Sequence, residues 1–315
     1  MLIKNKFNKK KAYQVTGKVF FYFLLLSIGI AFLSTIPVIH ENLFFAPTLL
    51  AIFGSGVGVF LAFRINSGYD RWWEARKIWG EMVNTSRSFG MSVTATMTNT
   101  SFSQMSTLEK EFQKKVIYRH LAFINALRLH LRGNTEKEWK TELWERTING
   151  TPLVSENEAQ KLQMAFNIPS QILQKQSQEI TAFFNDSPSK EFRYLNFTNA
   201  IKSFYDIQGK AERIKNTVFP WGYAFYIHPL VWLMACVIPF GFVDDFSPQE
   251  IVLSAIISTI FITIEQIGRN LDNPFDNSFN DTPISSLCRS IEIDLLEQLG
   301  EQRTEPIKTV EGVLY

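Results

Sequence analysis

The sequence predicts an all-α membrane protein with four transmembrane helices per chain and a helical cytosolic portion, and three observations carry that prediction. Val19–Ile39 and Leu43–Phe63 are each twenty-one residues without a charge, and about 20 such residues cross a bilayer core. Two further apolar runs, Phe219–Val243 and one led by Ile251–Ile264, lie near the other end. Between them sits a charged block whose apolar residues recur at helical spacing, with no alternating strand pattern. Overall hydrophobicity of 46% looks average only because it is so unevenly placed.

Composition excludes several classes. A net charge of +2 with no dominant basic face argues against nucleic acid as a partner. Cys236 and Cys288 are too few for a disulfide framework and read as packing residues. The chain has no phosphate-cradling glycine loop, CxxC, HExxH or nucleophile elbow, so neither an enzyme nor a cofactor is expected. The four histidines, His40, His120, His130 and His228, are dispersed and form no metal site. His120 and His130 read as helix-surface or core residues. His228, before Pro229 in an apolar run, is a polar group inside a span, a place where function concentrates.

Taken in order, residues 1–18 carry six lysines and no acid, which holds this end on the cytoplasmic side. A signal peptide would have a shorter apolar region and a small-residue cleavage site. A short link around His40 and Glu41 leads to the second run, Leu43–Phe63, which turns polar at Arg64 without a strong breaker. One helix therefore leaves the membrane and continues into water, with Tyr69, Trp72, Trp73, Arg76 and Trp79 on one flank. Gly54, Gly56 and Gly58 admit close approach of neighbouring helices. Val59 and Phe63 lie one turn apart and Ser55 extends their stripe. With several copies around an axis the stripe becomes stacked rings lining a tube; otherwise it is ordinary helix packing.

In the charged block, Ser106 and Glu109 form a capping-box pattern, and Phe112, Val116, His120, Phe123 and Leu127 make one stripe ending at Gly133. Residues 134–156 read as a surface loop. Ser155 and Glu158 form a second box before an apolar stretch interrupted at Pro169. A helix over 193–214 points Phe197, Ile201, Phe204 and Tyr205 inward. Pro220, Pro229 and Pro239 break the third run, as neighbouring helices permit in membranes, and Asp244 and Asp245 mark its exit. The fourth starts at Pro248 and ends near Glu265 and Arg269, with an uncharged core short enough to require tilt or a protein-buried lower end. Asp272, Asp276 and Asp281 look like a cation site, but the central glycine and twelfth-position acid of an EF-hand are missing. The last helix starts at Thr282–Pro283, carries Ile284, Leu287, Cys288, Ile291 and Leu295 on one face, and stops at Gly300 before a polar, extended tail. The pairs Asp70/Arg71, Glu74/Arg76 and Glu212/Arg213 read as solvated faces or contacts between subunits. The resulting organisation is a basic N-terminus (1–18), spans 1 and 2 (19–65), a helical cytosolic region (66–217), spans 3 and 4 (218–271) and a cytosolic C-terminal segment (272–315). Both termini fall on the lysine-rich side.

Three segments in this order, FLAFRINSGYDRWWEARKIWG at 60–80, AERIKNT at 211–217 and DNPFDNSFNDTPISSLCRSIEIDLLEQLG at 272–300, resemble the bestrophin family in its bacterial form. The resemblance implies a homopentameric ion channel of the bacterial inner membrane, built around the second helix, whose partners are its own copies, membrane lipid and permeant monovalent ions. Val59 and Phe63 match two apolar neck positions of the family's pore. Ser55 matches a third that is usually bulky and apolar. Phe219, just before Pro220, matches the cytosolic aperture, although bacterial relatives carry proline where this chain has Val218. An apolar ring gates by making water unfavourable in a narrow tube. Animal members bind calcium through consecutive acids; here Asn277, Ser278 and Asn280 interrupt the run, so calcium activation is not expected. The permeant ion is chloride, as in animal and plant relatives, or a small cation such as sodium, as in bacterial ones, and the bacterial motifs tilt the expectation toward the cation. A secondary transporter would instead show inverted repeats and broken helices with polar midplane residues. A membrane-anchored scaffold would use the helical block to bind a partner. Ion flux through purified protein in liposomes separates the three.

Overall fold

The computed structural model describes residues 13–36, 46–96, 107–184, 190–217, 221–245, 247–278, 280–309 and 314. In chain order its helices are α1 Lys18–Ser34, α2 Pro47–Thr96, α3 Thr107–Arg132, α4 Glu136–Trp139, α5 Glu156–Gln163, α6 Ile168–Phe184, α7 Lys190–Asn216, α8 Trp221–Val237, α9 Pro248–Leu271 and α10 Ile284–Leu299. They form two compact units: one runs up to Trp73 and takes in Thr217–Asn273, and the other holds Glu74–Asn216 and the chain from Pro274 on. The 50-residue α2 contributes to both.

The first unit holds the apolar runs. Among the described residues, three helical stretches are long and apolar enough to cross a membrane: Pro47–Thr96, Phe225–Phe242 and Pro248–Leu271. The apolar α1 is 17 residues long; Thr35 and Ile36 follow it as a turn, and residues 37–39 of its predicted run lie outside the described ones, as does the link at His40 and Glu41. Phe23, Val57, Leu61, Val231, Met234, Ala255 and Ile262 make the core. Small hydroxyls hold helices where lipid gives no hydrophobic drive: Ser254 Oγ donates to Ser27 Oγ at 2.9 Å, and Ser258 Oγ to the Ala235 carbonyl at 2.7 Å. Pro229 sits inside α8, whereas at Pro239 the chain tightens into the 3₁₀ segment Ile238–Asp245. A capping box starts α9, with Glu250 N donating to Ser247 Oγ at 3.3 Å and Ser247 N to Glu250 Oε2 at 2.9 Å.

The second unit is built around α3. From Val116 to Leu131 this helix is buried almost all round, not along one stripe; such burial marks a central helix. The Ser106 capping pattern lies outside the described residues. Helices α6 and α7 pack on α3, and Phe89, Phe123, Phe197 and Phe204 interlock edge to face or tilted around it. Residues 134–156, predicted as loop, contain α4 and a two-residue antiparallel ladder, Thr147↔Pro152 and Ile148↔Thr151. Asn149 and Gly150 close it with φ of 50° and 75°, the left-handed pair that tight hairpins need. Ser155 stands at the N-cap position of α5, but its side chain makes no capping hydrogen bond and no box forms; the Glu158 carboxylate pairs with Arg119 instead. Tyr205 was expected inside; it is exposed and donates to the Ser170 carbonyl at 3.0 Å. Gly300, at φ 71°, ends α10 in the left-handed conformation. The tail beyond is not free: Glu301 accepts from Tyr118 Oη at 2.6 Å and pairs with Lys114 at 2.6 Å.

Candidate pore neck and its anchoring contacts

The membrane half of α2 has two unlike faces. Val57 and Leu61 are 2% and 3% exposed, and Arg64 and Gly68 continue that buried stripe. Val59 and Phe63 are 55% and 61% exposed, and Ser55 shares their face. Positions four apart on a helix lie one above another, so the structure brings Ser55, Val59 and Phe63 together on a side that the chain itself does not cover. The Ser55 hydroxyl donates to the Ile52 carbonyl at 2.7 Å. Of the three glycines expected to admit close packing, Gly54 does so within the chain, since a Cβ there would lie 2.8 Å from Met234 Cε. Gly56 and Gly58 have open space around them. Phe219 lies outside the described residues.

Below Phe63 the helix is gripped. A Cβ on Gly68 would lie 3.1 Å from the Gly268 carbonyl oxygen and 3.2 Å from Leu271 Cβ, so α2 and α9 meet nearly backbone to backbone. Two arginines bracket this approach and reach the same residue. Arg64 Nη2 pairs with Asp272 Oδ2 at 3.0 Å, and Arg71 Nε donates to the Asp272 main-chain oxygen at 3.0 Å. Arg71 Nη1 also donates to the Thr217 carbonyl. Cations at a helix C-terminus are favoured by its dipole. Arg64 Nε, Arg64 Nη1 and Asp272 Oδ1 are buried with no hydrogen-bond partner. Burial pushes the Asp272 carboxyl above the usual carboxylate range, against the pull of Arg64 and Arg71. Removing one member of a buried pair costs about 3–5 kcal/mol.

Arg71, expected with Asp70 on a solvated face or at a contact between subunits, instead turns to Asp272 within its own chain, and Asp272 pairs with Arg64. The available signal was a small residue flanked by arginines four before and three after it. His228, noted as polar in a span, lies 3.1 Å through Nδ1 from Glu265 Oε1. Glu265 is fully buried, has Arg269 Nε 3.8 Å away, and leaves Oε2 without a partner. Its burial agrees with a fourth run whose lower end is buried in protein. The other two acids of the 272–281 segment have their own partners: Asp276 Oδ1 pairs with Lys215 Nζ at 2.7 Å, and Asp281 Oδ2 accepts from Ser278 N at 2.8 Å. Among the described residues no group of three or more His, Cys, Asp or Glu is placed to hold a metal.

The model of the bacterial and fungal bestrophin proteins matches residues 9–297. The chain belongs to the bacterial and fungal bestrophin family. Among its relatives, the "Voltage-dependent anion channel-forming protein YneE" of Escherichia coli is 28% identical over 275 residues, covering 85% of this chain and 82% of that one. A protein of the same description from Synechocystis is 28% identical over 239 residues, covering 76% and 73%. A crystal structure of a bacterial bestrophin homolog from Klebsiella pneumoniae superposes with a TM-score of 0.78 at 21% identity, covering 90% of this chain and 98% of that one. This last likeness is one of fold.

Proposed function

We propose that this bestrophin is a homopentameric channel for small monovalent ions, with four spans per subunit, both termini cytoplasmic, and α2 lining the pore. The carrying observation is the face of Ser55, Val59 and Phe63: large apolar groups left uncovered on a membrane helix whose opposite side is packed. Assembled around an axis, Val59 and Phe63 form apolar rings that hold back hydrated ions, and Phe219 forms a second, cytosolic constriction. The names of the relatives speak for anions, whereas the bacterial motifs tilt toward a cation such as sodium. Apolar rings do not fix the sign, so it rests on charges elsewhere along the path.

Purified protein in liposomes should conduct, and the reversal potential in a NaCl gradient gives the sign of the permeant ion. A mass measurement in mild detergent should give five subunits. A stable monomer or dimer, or liposomes that stay silent, would remove the reading.

A further inference from the structure

Resting on the neck reading above, we propose that Arg64 and Asp272 are positioning residues of the neck, their buried ion pair fixing the rotation of α2 and thereby how far Phe63 reaches into the conduction path. Arg64 follows Phe63 directly, so the two side chains leave the helix about 100° apart. A turn of α2 by about 20° would carry a side-chain tip roughly 6 Å from the axis through about 2 Å, enough to change a ring of phenyl groups.

What resists such a turn is specific. The contacts of Val57 and Leu61 are apolar, and apolar burial is non-directional. The Arg64–Asp272 pair is directional, at 3.0 Å, and Arg71 holds the main-chain oxygen of the same aspartate. Gly68, between the two arginines, brings α2 so near the Gly268 carbonyl that the helix cannot roll without separating from α9. Yet the pair is held by one hydrogen bond, with two arginine donors and one aspartate oxygen left over in a buried place. Such a contact can be exchanged for another arrangement of the same groups. Arg71 and Glu265 also act on the Asp272 carboxyl.

The test compares single-channel currents of Arg64→Gln, Asp272→Asn, their double variant and the exchange Arg64→Asp/Asp272→Arg in the full-length protein, with Phe63→Ala alongside. Loss of the pair should shift the closed-to-open ratio by about fivefold or more, the low end of ordinary coupling between sites. The two single changes should not add in the double variant, and the exchange should return the ratio toward wild type. Wild-type gating in both single variants, with Phe63→Ala still raising conductance, overturns the positioning role and leaves the neck standing. No effect of Phe63→Ala on conductance overturns the neck and this proposal with it. Loss of the assembly in every pair variant also overturns the proposal, because the pair is then a fold contact and nothing more.

Discussion

Leu61 and Phe63 stand two residues apart on one helix and have opposite surroundings, 3% and 61% exposed. Two steps along an α-helix turn a side chain by about 200°, so this contrast fixes which way α2 faces. Phe63→Ala is expected to raise unitary conductance by removing a ring that no ion can use for coordination, and Val59→Ala should do the same more weakly. Leu61→Ala should leave conductance alone and lower stability by about 2–5 kcal/mol, the usual loss for a truncated core leucine. Single-channel recording beside thermal unfolding decides it. Indistinguishable currents for Phe63→Ala and Leu61→Ala would place the pore elsewhere.

Much of this was legible because apolar length and helical period are local properties. The uncharged runs announce the apolar helices, and Val57 and Leu61 fall on the buried side that spacing from Val59 and Phe63 requires. What could not be read depends on partners far along the chain. Arg71 and Asp272 are 201 positions apart, and nothing near Arg71 shows that it turns inward. His228 and Glu265 are separated by 37 positions, so the polar residue was visible and its partner was not. The Asn149–Gly150 hairpin was legible and missed, since its flanking strands are too short to show alternation.

Calcium should leave ion flux unchanged between chelator and added calcium. A calcium site needs several oxygens converging on one point, and here Asp272, Asp276 and Asp281 engage Arg64, Lys215 and the Ser278 amide respectively. Flux measured in liposomes checks this. A clear calcium dependence, abolished by Asp276→Ala with Asp281→Ala, would overturn it.

Gly90 and Gly80 should respond to alanine with opposite signs. A Cβ on Gly90 would clash with Leu295 Cδ2 and with the Gln298 amide oxygen. The amide can swing away, but Leu295 is fully buried, so Gly90→Ala should cost about 1–3 kcal/mol as an overpacked core does. Gly80 lies within the same helix with nothing near enough to meet a Cβ, so Gly80→Ala should stabilise by up to about 1 kcal/mol through helix propensity. Thermal unfolding of the two variants should move in opposite directions, and equal shifts would contradict the packing described for α2 against α10.

His120 should make the second unit lose stability in mild acid. Burial pushes its imidazole down to about 3, among the rings of Phe89, Phe123 and Phe204. Nε2 lies 2.9 Å from Ser86 Oγ, and buried Nδ1 has no partner that could share a second proton. An unfolded histidine titrates near about 6.5, so below that pH the unfolded chain binds a proton that the folded chain refuses. The stability from neutral His120 is therefore complete above about 6.5 and falls by about 1.4 kcal/mol per pH unit toward the folded value. Replacing His120 with Gln keeps a partner for Ser86 and removes the titrating group. The variant should be less stable at neutral pH, because its amide sits among aromatic rings, but its stability should fall less steeply in acid. Denaturant unfolding of both proteins between about pH 7 and about pH 5, the range in which an ordinary histidine gains its charge, measures the two slopes. Parallel slopes would mean that His120 takes up its proton in the folded protein, and that the packed, neutral imidazole described here is wrong.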